Sequence, residues 1–170
     1  MEHPDIQITT DRFVFFWKPP TVFGQWTHSP FVIDGVSYTC GEQYMMAEKA
    51  RLFGDAKVCQ QILATDDPRQ HKRLGRRVSG FTEKRWKKNR EEIVYRGNLA
   101  KFSQNPDMKR QLLQTGDRTL VEASPLDRIW GIGLHSSDAA ARDPARWKGL
   151  NLLGEALMRV RRELREAEEG

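Results

Sequence analysis

One carboxylate and one amine share an otherwise apolar helix face early in the chain. Read as a helix, the segment 41–53 aligns residues three, four and seven positions apart on one stripe. That stripe consists of Glu42, Met45, Met46, Lys49 and Phe53. Because three of these five side chains are large and apolar, the pattern predicts that the stripe faces the protein interior.

The spacing of Glu42 and Lys49 excludes the usual helix ion pair. Their separation spans about 10.5 Å of helix axis, whereas paired charges on a helix stand three or four residues apart. Burying both charges without partners would cost several kcal/mol, which favours a ligand between or beside them. In the alternative interpretation, the helix dipole stabilises Glu42 in the first turn, and Lys49 extends its ammonium to solvent.

A glycine-rich turn at residues 127–133 is the second candidate for chemistry. Trp130 offers a flat surface on which a nucleobase can stack. Gly131 allows the backbone to approach a ligand closely, and Asp127 can accept a hydrogen bond from a ribose hydroxyl. The alternative is a buried tryptophan at a tight turn, with no role in binding.

Further polar residues lie in the predicted helices. Asn98 and Lys101 are three residues apart and share a face, where they either contact a sugar or phosphate or simply lie at the surface. Asn151 lies at the start of the last predicted helix and is expected to cap it. Gly154, inside that helix, costs about 1 kcal/mol relative to alanine, which indicates close packing or a nearby ligand.

Positive charge is concentrated in one segment of the chain. Residues 69–90 contain ten Lys or Arg and one Glu, hence a charge of +9, whereas the remainder holds 18 basic and 22 acidic residues, hence −4. We call this segment the basic block. Such a block commonly marks a surface for phosphates or nucleic acid, and the alternative is a solvated helix surface. The sequence shows no helix-turn-helix, zinc-finger or RNP signature.

Composition limits the class of protein. The chain has 170 residues, 38% hydrophobic and 30% charged, which is typical of a soluble globular domain. It shows no apolar run of transmembrane length and no signal peptide, so no membrane association is expected. Two cysteines without a CxxC spacing fit a reducing cytoplasm. The four histidines are scattered without metal-ligand spacing, so we expect metal-independent chemistry and no cofactor.

The periodicities predict an α+β fold, a small N-terminal β-sheet with packed helices, in a single domain of residues 1–170. Strands are predicted at 12–17, 31–33, 36–39 and 119–123, with Asp34-Gly35 as a two-residue hairpin turn between the second and third. Helices are predicted from Glu42 to near Gly54, Asp55 to Ala64, Asp67 to about Val78, Thr82 to about Phe102, Asn105 to Gly116, and about Leu150 to Glu166.

Several short segments, taken in order, resemble the NADAR, or YbiA-like, family. The matching segments are Gly41-Glu42-Gln43-Tyr44 with Ala47 and Lys49, then Trp86, Ala100-Lys101-Phe102, Asp127-x-x-Trp130-Gly131 and Gly149-x-Asn151-x-Leu153-Gly154-x-x-Leu157-Met158. Each segment is short, but the ordered set is fairly specific and covers roughly residues 13–164. The compact α+β domain of that family agrees with the predicted elements.

The resemblance implies an enzyme that hydrolyses N-glycosidic bonds. Two substrate classes are associated with the family: early intermediates of riboflavin synthesis, and ADP-ribose attached to guanine in DNA. In the second case the enzyme is the antidote to a DNA-modifying ADP-ribosyltransferase toxin. This chain departs from the family where Phe23-Gly24-Gln25-Trp26 replaces Phe-x-Ser-Asn-Phe, and where Trp130-Gly131-Ile132-Gly133 replaces Trp-Gly-Asp-Gly-Gly. The second departure and the basic block favour the DNA substrate.

The resemblance also assigns roles to residues. The essential glutamate of the family falls on Glu42, and a lysine proposed to form a Schiff base falls on Lys49, with Lys101 as the competitor. The predicted substrate-binding residues are Trp86, Asn98, Lys101, Asp127, Trp130, Gly131 and Asn151. A module that binds ADP-ribose or nucleic acid without turnover is the alternative from another functional class.

Overall fold

The computed structural model describes residues 2–170 and has the predicted α+β architecture. Its strands are β1 (Gln7–Thr9), β2 (Phe13–Phe16), β3 (Phe31–Ile33), β4 (Val36–Tyr38) and β5 (Thr119–Glu122). Its helices are α1 (Gly41–Leu52), α2 (Ala56–Leu63), α3 (Pro68–Gly75), α4 (Glu83–Gln104), α5 (Pro106–Gln114) and α6 (Leu152–Glu169). Within residues 2–170, no helix combines the length and hydrophobicity needed to cross a membrane.

The described chain divides into two compact units. The central unit comprises residues 28–105, and the terminal unit comprises residues 2–27 together with 106–170. Strands β3 and β4 and helices α1 to α4 belong to the central unit, and the other elements belong to the terminal unit. The single-domain boundary drawn from the sequence stays a prediction.

The terminal unit is organised around β2. This strand pairs antiparallel with β1 and parallel with β5, so that the sheet order is β1-β2-β5. All four residues of β2 are buried, as expected for a central strand. The sheet packs into an apolar cluster of Phe13, Phe15, Val121, Ala123, Ile132, Leu134, Ala140 and Ala141. Helix α6 packs against β5.

The central unit is a helical bundle with a hairpin at its start. Strands β3 and β4 pair antiparallel across Asp34 and Gly35, which both adopt positive φ, 51° and 78°. This is the predicted two-residue turn. Helix α1 packs against α2, α3 and α4, so it lies at the centre of the bundle. Asp55, Asp67 and Thr82 cap α2, α3 and α4 as predicted, each accepting a hydrogen bond from a first-turn N–H.

Some details differ from the sequence predictions. The strands form two sheets rather than one N-terminal sheet, because β2 takes β5 as its partner and β3 pairs only with β4. Strand β1 was not expected, since it is three residues long and carries polar Gln7 and Thr9. Helix α3 ends at Gly75 instead of near Val78.

Candidate functional site

Helix α1 places Glu42 and Lys49 on the predicted face. Glu42 is buried, with 6% of its surface exposed, and Met45 and Met46 beside it are buried as well. Lys49, about two turns after Glu42, is half-buried. The prediction that this stripe faces the interior is therefore confirmed, and the carboxylate reaches the interior with it.

Aromatic rings surround the amine of Lys49. Its Nζ lies 4.6 Å from the ring centroid of Phe81 and 5.6 Å from that of Trp86. Burial lowers the pKa of Lys49, and the negative charge of Glu42 opposes that shift. Desolvation is the larger effect, so the site favours the neutral, nucleophilic form of the amine more than water does. The two predicted catalytic groups therefore influence each other electrostatically.

Lys101 provides a second perturbed amine on α4. Its side chain is 0% exposed, and desolvation lowers its pKa from 10.5 to about 7. Its Nζ lies 4.9 Å from the ring centroid of Phe102. About half of a lysine with this pKa is neutral at pH 7, and the neutral amine can act as a nucleophile or base. The sequence had offered Lys101 as the competitor of Lys49, and its pKa keeps it in that role.

Asn98 lies one helical turn before Lys101 and is also buried. Its side chain donates a hydrogen bond of 2.9 Å to the Val94 carbonyl within α4. The interpretation of Asn98 and Lys101 as surface residues is wrong, because α4 turns both toward the interior. Trp86, on the same helix, is buried and contributes its ring to the environment of Lys49.

The basic block is solvated with one exception. Nine of its ten Lys and Arg side chains are exposed, whereas Arg90 is only 7% exposed. Within residues 2–170, the Nε of Arg90 has no hydrogen-bond partner. Among the described residues, the block makes one ion pair, between Lys87 and Glu83 at 3.9 Å. The positive charge of the basic block is therefore available to an external anion.

The Asp127–Gly133 turn belongs to the terminal unit. The Oδ1 of Asp127 accepts hydrogen bonds from the backbone N–H groups of Ile129 and Trp130, at 2.9 and 2.8 Å. A Cβ at Gly131 would stand 2.9 Å from the Glu122 carbonyl oxygen, so only glycine fits there without a shift. The turn is therefore tightly built. Base stacking by Trp130, which is half-exposed, stays a prediction, as does ligand binding by Asp127 and Gly131.

Asn151 does not cap α6 as predicted. It adopts a left-handed conformation (φ 54°), and its side chain makes no capping hydrogen bond. Its amide instead accepts from the Glu122 N–H at 3.0 Å and donates to the Leu120 carbonyl at 2.9 Å. This bridge between α6 and β5 replaces the cap, because the sheet backbone offers both partners. A role of Asn151 in substrate binding stays a prediction.

Each unit thus holds one group of the predicted site residues. The central unit holds Glu42, Lys49, Trp86, Asn98 and Lys101, and the terminal unit holds Asp127, Trp130, Gly131 and Asn151. The sequence missed Phe81, although its place beside Thr82 and inside the basic block was a possible signal.

A buried cysteine–histidine contact was also missed. The Sγ of Cys40 lies 3.8 Å from Nδ1 of His71, and Nε2 of His71 lies 2.5 Å from the Thr65 carbonyl. Since that carbonyl must accept, Nε2 carries the proton and Nδ1 accepts from the thiol. Burial raises the pKa of Cys40 and lowers that of His71. Both groups are therefore neutral, and the pair is not an activated thiolate.

Comparison with known proteins identifies relatives across nearly the whole chain. A family model described as the NADAR domain matches residues 15–165. The N-glycosidase R617 of Acanthamoeba polyphaga mimivirus is 44% identical over 165 residues, which cover 91% of this chain and 97% of that protein. Protein irg-1 of Caenorhabditis elegans is 39% identical, with 95% of this chain and 85% of that protein covered.

A solved structure agrees with these relatives. The NMR structure of the Escherichia coli protein YbiA superimposes with a TM-score of 0.76 and 27% sequence identity, and covers 95% of this chain and 89% of that chain. The resemblance drawn from the short motifs is confirmed by the family match, and the α+β fold by the structure. The chain belongs to the NADAR domain family.

Proposed function

We propose that this protein is an N-glycosidase that releases ADP-ribose from guanine in DNA. The observation that carries the proposal is that one face of α1 presents both a buried carboxylate, Glu42, and an amine, Lys49, whose pKa is lowered by burial. Relatives over nearly the full length of the chain are named N-glycosidases. The choice of a DNA substrate is supported by the exposed, mostly unpaired charge of the basic block.

The proposed reaction begins with the amine of Lys49. In the ring-opened sugar, neutral Nζ adds to the anomeric carbon that carries the guanine nitrogen. The carboxylate of Glu42 takes the proton that Nζ loses on addition and passes it to that nitrogen as the carbon–nitrogen bond breaks, and guanine leaves. The sugar is then held to Lys49 as an imine.

Hydrolysis completes the cycle. Glu42, now a carboxylate, takes a proton from water as the oxygen adds to the imine carbon. Collapse of that adduct returns the proton to Nζ, breaks the bond to Nζ and releases the aldehyde form of ADP-ribose, with the amine and the carboxylate restored. We further propose that Trp130 stacks on a base of the substrate and that Asp127 binds a ribose hydroxyl. An ADP-ribosyltransferase acting on DNA would supply the substrate, and this protein would be its antidote.

The test follows ADP-ribose released from a DNA oligonucleotide that carries ADP-ribosylated guanine. Wild type should release it, and Glu42→Gln, which keeps the shape of the side chain but cannot exchange protons, should lose at least about 100-fold in rate. Binding of the oligonucleotide without release by wild type would make the protein a binding module. Turnover of aminopyrimidine ribose phosphates, with neither release nor binding of DNA, would favour the riboflavin-intermediate activity.

The same substrate distinguishes the two lysines. Borohydride reduces an imine to a stable amine, so wild type treated during turnover should gain the mass of ADP-ribose. Lys49→Ala should lose this adduct and Lys101→Ala should keep it. The opposite result would assign the covalent role to Lys101.

A further inference from the structure

Phe81 is a large apolar side chain that the protein leaves in contact with solvent. Its exposed fraction is 39%, and it lies inside the basic block, immediately before Thr82, the N-cap of α4. Single exposed apolar residues are common in proteins and need no explanation by themselves. The surroundings of Phe81 are what set it apart.

The segment that carries Phe81 is anchored. The backbone N–H and the hydroxyl of Ser79 donate to Oδ2 of Asp55, at 2.9 and 3.0 Å. Gly80 follows with a positive φ of 75°, and the Phe81 ring packs 5.3 Å from the ring of Phe53. The ring is therefore held in one place although part of it is exposed.

One cationic group lies over this ring, and others lie close to it. Nζ of Lys49 lies 4.6 Å from its centroid, and the guanidinium carbon of Arg85 lies 5.8 Å from the centroid of the neighbouring Phe53 ring. The negative charge of Glu83 and the positive charge of exposed Arg76 both act on Lys49. An aromatic ring set among basic side chains is the arrangement by which proteins bind single-stranded nucleic acid, because bases stack while phosphates meet the charges.

The distances allow the leaving base to lie against Phe81. A nucleophile about to react stands about 3–3.5 Å from the carbon that it attacks, and the base is bonded directly to that carbon. Stacked rings have centroids about 4.5–7 Å apart. A base on the carbon attacked by Lys49 can therefore reach stacking range of a ring only 4.6 Å from Nζ.

We propose that Phe81 stacks on the guanine of the DNA strand from which ADP-ribose is removed, and that the basic residues around it hold the phosphates of that strand. In the free protein the Lys49 ammonium covers the ring face. As the amine turns to the anomeric carbon, it leaves that face to the base. This inference rests on the proposed function and adds a specificity-determining residue to it.

The test compares Phe81→Leu with Phe81→Trp on the ADP-ribosylated oligonucleotide. Loss of the aromatic face should raise KM about 5- to 150-fold, the range measured for single base–aromatic contacts, with kcat little changed. Phe81→Trp should restore KM. Val32→Ala, a change of another exposed apolar side chain in the central unit, is the matched control and should behave as wild type.

Three outcomes would overturn the inference. Equal KM values for Phe81→Leu and wild type would exclude stacking, as would failure of Phe81→Trp to restore the KM lost in Phe81→Leu. A fall in kcat with a shifted pH profile and an unchanged KM would mean that Phe81 only positions Lys49. Inactivity of wild type itself on this substrate contradicts the proposed function instead, so the two failures are distinguishable. Thermal melting of each variant separates these results from loss of folding.

Discussion

Two lysine amines in the central unit have lost part of their hydration. Lys49 is half-buried among aromatic rings, and Lys101 is fully buried. The pKa of each is lowered chiefly by desolvation. An amine held this way gives up stability, because the charged form is disfavoured in the folded state. Such a cost at two positions of a small protein is typical of functional rather than structural lysines.

The low pKa of Lys101 makes stability depend on pH in a defined window. The unfolded chain keeps the proton of Lys101 up to about pH 10.5, whereas the folded protein releases it near pH 7. Between these values the unfolded state binds more protons, so the free energy of unfolding should rise with pH. The contribution of one such group is at most about 1.4 kcal/mol per pH unit.

Denaturant titrations at several pH values can measure this contribution. Lys101→Met should remove this contribution. From pH 7 to 10 the unfolding free energy of wild type should therefore rise relative to that of the variant. Lys57→Met alters an exposed lysine of the same unit. Its unfolding free energy should change with pH as that of wild type does. A pH-independent difference for Lys101→Met would mean that Lys101 is not held at a low pKa.

At the scale of elements, local signals were sufficient for most helices and not for the strand partners. The caps at Asp55, Asp67 and Thr82 each use a bond within three residues, so the sequence alone indicates them. The pairing of Val14 with Leu120 joins distant parts of the chain, and no short-range pattern encodes it. The same holds for the Lys49–Phe81 contact and for the bridge from Asn151 to β5.

The join between α6 and β5 can be tested through Gly154. A Cβ at this position would collide with the Leu120 carbonyl oxygen and the Asn151 amide, so the close-packing interpretation of this glycine is correct. Gly154→Ala should destabilise the protein by about 1–3 kcal/mol despite the better helix propensity of alanine. Glu155→Ala, an exposed neighbour on the same helix, should change stability by less than about 0.5 kcal/mol. Equal stability of Gly154→Ala and wild type in chemical denaturation would contradict this packing.

The net charge of the whole molecule is positive because of one segment. The chain has a net charge of +5, and residues 69–90 alone carry +9. A protein that binds DNA through such a segment releases counterions from the phosphates, and its affinity falls as salt rises. A ribose phosphate, the alternative substrate, carries far fewer charges and should show a much weaker dependence on salt.

Salt dependence therefore tests whether the basic block contacts DNA. For an ADP-ribosylated single strand, log Kd plotted against log salt should have a slope of about 0.7 for each phosphate contacted. Lys84→Gln with Lys88→Gln, two exposed residues of the block, should lower that slope by about 1.4 if both contact phosphates. Arg110→Gln with Arg162→Gln removes the same charge from two exposed positions outside the block. Because the slope counts only the charges that contact phosphates, this pair should leave the slope unchanged. Equal slopes for the two double variants would show that only net charge matters and would remove the block from the DNA-binding surface.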